Sequence, residues 1–266
     1  MIRLVRSIVP DLPTFVRYLS IAGPIAAGVL LLRLWSEGLI RRYRWFAFYL
    51  SWLLLELAVS LSVNRQTSPY FIVFVVVDSV IWIAQTMIVL ELFSLVMQHY
   101  PGIRRSGRRF IRIASVAAVA GAFVLSLVAS NTVPSDYVAI TRYLLISRVI
   151  ASTLLVFLFL ILGFLLYFPV QLSRNVVLYA IGYSIYFTSR ALTRIAGSLG
   201  PSLLDVLSAI SMSVVLACLL MWILLLNRKG EHVELTVGHR WSPEQAGAAV
   251  RHLNSLNATL LKVGRK

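Results

Sequence analysis

FIVFVVVDSVIWIAQTMIVLELFSLVMQHY, residues Phe71 to Tyr100, decides the class of this chain. A helix rises about 1.5 Å per residue and the hydrocarbon core of a bilayer is roughly 30 Å thick, so about 20 apolar residues suffice to cross it. The quoted run exceeds that before it reaches Gln98. Two acids, Asp78 and Glu91, lie inside it. A lone charge in hydrocarbon costs at least about 2.5 kcal/mol, so each acid needs a partner, water or a proton from its surroundings.

Composition points the same way. Of 266 residues 59% are hydrophobic and 13% charged, with a mean hydropathy of +0.85, which describes a lipid-embedded body rather than a soluble core. The net charge of +15 raises the question of nucleic acid. The basic residues sit in short loops between apolar runs, where membrane topology needs them, so nucleic acid is not an expected partner. Cys218 is the single cysteine, which excludes an intrachain disulfide and a thiolate metal cluster. The N-terminal MIRLVRSIVPDLPTF is interrupted by Pro10, Asp11 and Pro13 and does not read as a cleaved signal peptide.

Working outward from the quoted stretch gives an all-α, polytopic integral membrane protein with seven expected spans. The first runs from about Phe15 to Leu34 and contains Gly23, Pro24, Ala27 and Gly28, small residues that allow close helix approach around a proline kink. The second is about Trp45 to Val63, and the third is the opening stretch. The fourth is about Ile113 to Ser130, with Ala117 and Gly121 forming a small-residue contact face. The fifth is about Val138 to Phe168, the sixth about Val176 to Ala196, and the seventh about Leu203 to Leu226. Placing the N-terminus outside leaves only eight of the 25 Lys and Arg residues outside or in outer helix halves. Arg104, Arg105, Arg108, Arg109 and Arg112, after the third span, give the strongest cytoplasmic signal. The positive-inside rule therefore favours N-terminus out and C-terminus in.

Two domains follow: residues 1–227 as a seven-helix transmembrane domain, and 228–266 as a cytoplasmic linker with an amphipathic tail helix. In the tail, His232 to Val237 alternates briefly, as a short strand or an extended linker would. Ser242, Pro243 and Gln245 then have the spacing of a capped helix start. Ala246, Ala249, Leu253, Leu256, Leu260 and Val263 recur at steps of three and four, giving one apolar seam. Two readings stand. The helix lies on the membrane surface or under the bundle, or Leu253, Leu256, Leu260 and Val263 dock a cytoplasmic protein partner or a second copy of the chain.

The intramembrane charges are the features from which a site can be argued. Tyr179, Tyr183, Tyr186, Arg190 and Arg194 share one helical face, Trp52, Glu56 and Ser60 another, and Asp78, Trp82 and Gln85 a third. Polar stripes inside a membrane should face each other. The expected ligand-binding set is Glu56, Asp78, Trp82, Gln85, Arg148, Tyr183, Tyr186 and Arg190, lining an outward-facing polar cavity for a small anionic or amphipathic ligand. The competing reading is structural: Arg148 pairs with Glu56 or Asp78 to fix helix register, and the other arginines snorkel to the interface. Glu91 falls on a different face from Asp78, where a structural contact suits it.

Chemistry removes several classes. All three lysines lie in the tail, so no span offers a retinal Schiff-base residue. The histidines are His99, His232, His239 and His252, none deep in a span, so neither a haem pair nor an intramembrane zinc site is expected. No base is in reach of an intramembrane serine nucleophile. No cofactor, metal or catalytic residue is expected, and the chain reads as a non-enzyme: a sensor, receptor-like protein or adaptor. The alternatives are an accessory or scaffold subunit of a larger membrane complex, or a small-solute or proton-coupled transporter, which the lack of a visible internal repeat weakens. Arginine outnumbers lysine 22 to 3, a bias of GC-rich prokaryotic genomes, which suggests a bacterial cytoplasmic (inner) membrane.

Overall fold

A computed structural model describes residues 12–62, 70–129, 138–196, 201–239 and 243–263. Those residues form eight α-helices with one short two-stranded ladder: α1 Leu12–Ser36, α2 Arg44–Ser62, α3 Tyr70–Val96, α4 Pro101–Ala129, α5 Val138–Tyr167, β1 Val170–Ser173, α6 Arg174–Ala196, α7 Pro201–Leu225, a 3-10 turn Arg228–Glu231, β2 Glu234–Val237 and α8 Pro243–Val263. Four of them contain a segment long and apolar enough to cross a membrane: Thr14–Ser36, Val75–Val96, Arg142–Tyr167 and Val206–Leu225. The protein is an all-α integral membrane protein. Helices α2 and α6 coincide with two of the other expected spans and α4 covers most of the third, but none of the three is among these four.

Contacts divide the chain into two units, one of Met1–Ala84 with Ile181–Arg228 and one of Gln85–Ala180 with Lys229–Lys266. In the first unit, α1 packs most extensively against α7 and then against α2. Helix α1 closes with a glycine at positive φ, Gly38 at 70°. The Gly38 amide donates to Trp35 O at 3.0 Å and that of Leu39 to Leu34 O at 2.8 Å, the paired bonds that satisfy carbonyls at a helix end. The C-terminal ends of α1 and α7 are tied together. Arg33 Nε donates to Leu226 O at 3.0 Å, and the Arg228 amide donates to a Glu37 carboxylate oxygen at 2.8 Å. The two helices therefore run parallel. Helix α6 runs against α7, since a Cβ at Gly182 would meet Met221 and Trp222 while Thr193 Oγ1 donates to Leu207 O at 3.5 Å.

In the second unit the tail is not freestanding. β1 and β2 pair antiparallel from Val170 opposite Val237 to Ser173 opposite Glu234, so the alternation at 232–237 is a strand over its last four residues. Glu231 accepts from Asn175 Nδ2 at 2.9 Å and from Ser173 Oγ at 3.2 Å, and the Arg174 amide donates to Val233 O at 2.8 Å. Gly238 sits at φ 130°, and a Cβ there would meet Phe168 O at 2.4 Å. Only glycine fits both conditions.

Helix α8 begins at Pro243, as expected; Ser242, its expected cap, lies outside the described residues. It packs on the start of α4, where the Gly102 amide donates to Asn257 Oδ1 at 2.7 Å. An asparagine from another helix thus takes one of the orphan amides of the α4 first turn. The same closeness explains Gly102: a Cβ there would meet the Asn257 carbonyl oxygen at 2.4 Å.

Helix α4 departs from expectation in two ways. It begins at Pro101, twelve residues before Ile113, so the arginine-rich segment is helix and not loop. Proline suits the first helical position and arginine is a good helix former, and the two glycines that weaken the segment, Gly102 and Gly107, sit where a Cβ would meet Asn257 and Phe93. Ala117 and Gly121, expected to touch a neighbouring helix, are exposed, and nothing among the described residues lies within 4 Å of a Cβ at Gly121.

Candidate functional site

The first unit contains an open cavity of about 380 Å³, within the range of small-molecule sites, about 300–1,000 Å³. Four helices build it. Helix α6 contributes Tyr186, Arg190 and Thr193, spaced so that they share one face. Glu56 comes from α2, flanked by Leu53 and Leu57. Helix α1 brings Ser20 and the Gly23–Pro24 pair to the cavity wall, and α7 brings Ser208 and Ser211. Met212, Val215 and Leu219 of α7 and Leu19 of α1 complete an apolar wall. The cavity is two-natured: one group of side chains offers a guanidinium, a carboxylate and hydroxyls, the other only hydrocarbon.

Arg190 is the centre of the polar part. The carboxylates of Glu56 and Asp78 and the phenol oxygens of Tyr186 and Tyr49 all lie within electrostatic reach of its guanidinium. Behind it the aromatic side chains are packed and directional. Tyr49 and Tyr186 share a short hydroxyl-to-hydroxyl hydrogen bond with their rings edge to face. Tyr183 is fully buried and stacks on Tyr186 and Phe187 at 6.0 Å. Trp222, 1% exposed, meets Phe46 at 4.8 Å and Tyr186 at 6.0 Å.

Asp78 does not line the cavity wall. It is buried, and one carboxylate oxygen accepts from Trp82 Nε1 at 3.0 Å, one helical turn away. Trp52, one turn before Glu56, donates from Nε1 to Val77 O at 3.0 Å, which sets the α2 register against α3 beside that acid. The two carboxylates thus come from α2 and α3, each within electrostatic reach of the guanidinium supplied by α6.

No family model, no curated protein and no solved structure matches this chain. The site rests on its own residues.

Of the eight ligand-site residues expected from sequence, Glu56, Tyr186 and Arg190 line the cavity. Asp78 stands behind as a charge partner of Arg190, Trp82 orients Asp78, and Tyr183 backs Tyr186. Gln85 and Arg148 belong to the second unit. Gln85 is buried with no hydrogen-bond partner for Oε1 among the described residues, and Arg148 Nε likewise has none. Within the first unit, Arg190 lies within electrostatic reach of Glu56 and Asp78. The sequence reading missed the α1 and α7 walls: Ser20, Gly23, Pro24, Ser208, Ser211 and Met212. The signal available for α7 was the spacing of Ser208, Ser211, Val215 and Leu219, which puts two hydroxyls in line with an apolar stripe.

The tail residues fare differently from one another. Leu253 is 2% exposed, Leu260 is partly buried, and Leu256 at 44% is exposed. The side chain of Val263 lies outside the described residues. Of the four docking residues expected, Leu253 is taken up by packing within the chain, because the buried side of α8 follows Leu253 and Asn257 while Leu256 turns away. Among the described residues no group of three His, Cys, Asp or Glu could hold a metal ion.

Proposed function

We propose that this chain is a non-enzymatic, seven-span membrane protein that binds a small amphipathic ligand in the α1–α2–α6–α7 cavity, in the manner of a sensor. The observation that carries the reading is the pairing of Arg190, Thr193, Ser208 and Ser211 with a hydrocarbon wall in one 380 Å³ space. A guanidinium recognises carboxylate or phosphate oxygens by paired hydrogen bonds, and Leu53, Leu57, Met212, Val215 and Leu219 suit an alkyl or aromatic body. Glu56 beside Arg190 disfavours a ligand of high negative charge. A single anionic or strongly accepting head on an apolar body fits best.

Helix directions support seven crossings. With α1 and α7 parallel and α6 against them, the first unit has the alternation that seven successive spans impose, and the Arg33, Glu37 and Arg228 contacts lie at the end assigned to the cytoplasm by charge. In a Cys218→Ser background, Ser135→Cys should react with an impermeant maleimide from outside intact cells and Asn254→Cys only after permeabilisation. The reverse pattern would overturn the orientation.

The ligand reading is tested with three ten-carbon probes. Decanoate should raise the thermal midpoint of the detergent-purified protein, decanol less, and decylamine not at all. Met212→Trp, which fills the apolar side of the space, should remove the decanoate shift while leaving the unliganded midpoint within a few degrees. Equal shifts with decanoate and decylamine, or a decanoate shift that survives Met212→Trp, would sink the reading.

A further inference from the structure

Helix α4 makes no contribution to the cavity, yet it carries the densest charge in the chain. Because its helix starts at Pro101, the arginines acquire a fixed geometry that a loop would not give them. Arg105, Arg108, Arg109 and Arg112 fall at i, i+3, i+4 and i+7, and Val116, Val119 and Phe123 continue the same stripe at i+11, i+14 and i+18. All seven are exposed, Val116 at 69%, Val119 at 42% and Phe123 at 53%. The stripe is therefore cationic for two turns and hydrocarbon for the next three.

Charge balance within the segment is absent. No Asp or Glu occurs in the sequence between Glu91 and Asp136. Among the described residues none of these arginines pairs with an acid; Arg112 Nε donates to the Arg108 carbonyl oxygen at 3.2 Å, which holds that guanidinium along the helix. On another face of the helix Ile111 and Ala122 are buried, so α4 is packed there while the stripe is exposed.

We propose that this stripe is a binding site for anionic phospholipid, the headgroup phosphate on Arg105, Arg108, Arg109 and Arg112 and an acyl chain along Val116, Val119 and Phe123. Charge complementarity selects the occupant. A soluble anion would use the arginines and leave the apolar turns uncovered, and a zwitterionic lipid would cover the apolar turns while bringing its own cation to the arginines. An anionic lipid satisfies both halves in the order in which a membrane presents them. Each arginine near an anionic surface is worth about a fivefold change in affinity, and a guanidinium grips phosphate with two bonds at once.

The test is native mass spectrometry of the full chain in a mild non-ionic detergent with equal additions of phosphatidylglycerol and phosphatidylcholine. Phosphatidylglycerol adducts should dominate by about tenfold or more. Arg108→Gln/Arg109→Gln should reduce them by a similar factor and leave phosphatidylcholine adducts unchanged. Arg41→Gln/Arg44→Gln removes the same charge from another segment and should change neither. Equal retention of both lipids, or an equal loss from the Arg41/Arg44 pair, would overturn the site, the latter by showing a net-charge effect. Should the Arg108/Arg109 variant fail to fold, phosphatidylglycerol with an acyl diazirine decides on the unaltered protein. Crosslinks concentrated in residues 113–124 support the site, and crosslinks spread evenly over the helices reject it.

Discussion

Arg190→Gln is expected to lower the stability of the purified protein by up to about 3–5 kcal/mol, the cost of removing one partner of a fully buried ion pair, since Asp78 is buried and Arg190 and Glu56 are partly buried. The guanidinium interacts with Glu56 and Asp78 from two other helices and with the hydroxyls of Tyr49 and Tyr186. Glutamine keeps some hydrogen-bonding capacity but no charge. Both acids would then lose the cation with which they interact, and an uncompensated carboxylate within a span is costly. The measurement is the midpoint of unfolding in a denaturing detergent titration, with Arg190→Lys alongside. Lysine restores the charge without the planar fork, so it should recover part of the loss.

The decisive comparison adds the acids. Glu56→Gln/Asp78→Asn removes two charges and leaves the guanidinium, and should itself be destabilising. Combining all three substitutions removes the electrostatic imbalance, so the triple variant should be more stable than the sum of its parts by at least about 1 kcal/mol, the kind of coupling that contacting residues show. Additive losses, or a cost below about 1 kcal/mol for Arg190→Gln alone, would mean that the cluster does not act as a unit.

The sequence showed which helices carry polar stripes but not which stripes meet. Tyr183, Tyr186 and Arg190 share a face by arithmetic alone, and Glu56 and Asp78 are conspicuous as acids in apolar runs; each has a place in or behind the cavity. Arg148 and Arg190 look equivalent in the sequence, because both are arginines in long apolar helices and periodicity says nothing about which neighbour a face turns toward. The α1 and α7 walls were illegible for a related reason. Gly23 and Pro24 signal a local backbone feature without saying what fills the space beside them, and Ser208 and Ser211 are too small and weakly polar to stand out in a run as apolar as 203–226. In the tail the heptad-like seam is visible, but Asn257, a polar residue outside the seam, makes a hydrogen bond to α4. On α4 itself, reading the arginines as a loop hid their alignment with Val116, Val119 and Phe123, since only a continuous helix puts the two groups in one line.

Trp222→Ala should cost about 3–5 kcal/mol, the range for deleting a large buried aromatic. The indole is 1% exposed, edge to face with Phe46 at 4.8 Å and tilted against Tyr186 at 6.0 Å. Helix α6 can approach it only because residue 182 is glycine: a Cβ there would lie 2.7 Å from Trp222 Nε1. Inside a membrane the unfolded helices also face hydrocarbon, so the loss comes from forfeited packing more than from transfer out of water. That argument makes two linked forecasts for the same detergent titration. Trp222→Phe, which keeps a ring but less of it, should fall between alanine and the native residue. Gly182→Val, which adds atoms where none fit, should be destabilising by about 1–3 kcal/mol, and combining it with Trp222→Ala should cost less than the sum because the valine enters the space the indole leaves. If the double variant is strictly additive, Gly182 and Trp222 are not in the contact described, and the support that Trp222 gives to Tyr186, and through it to Arg190, fails with it.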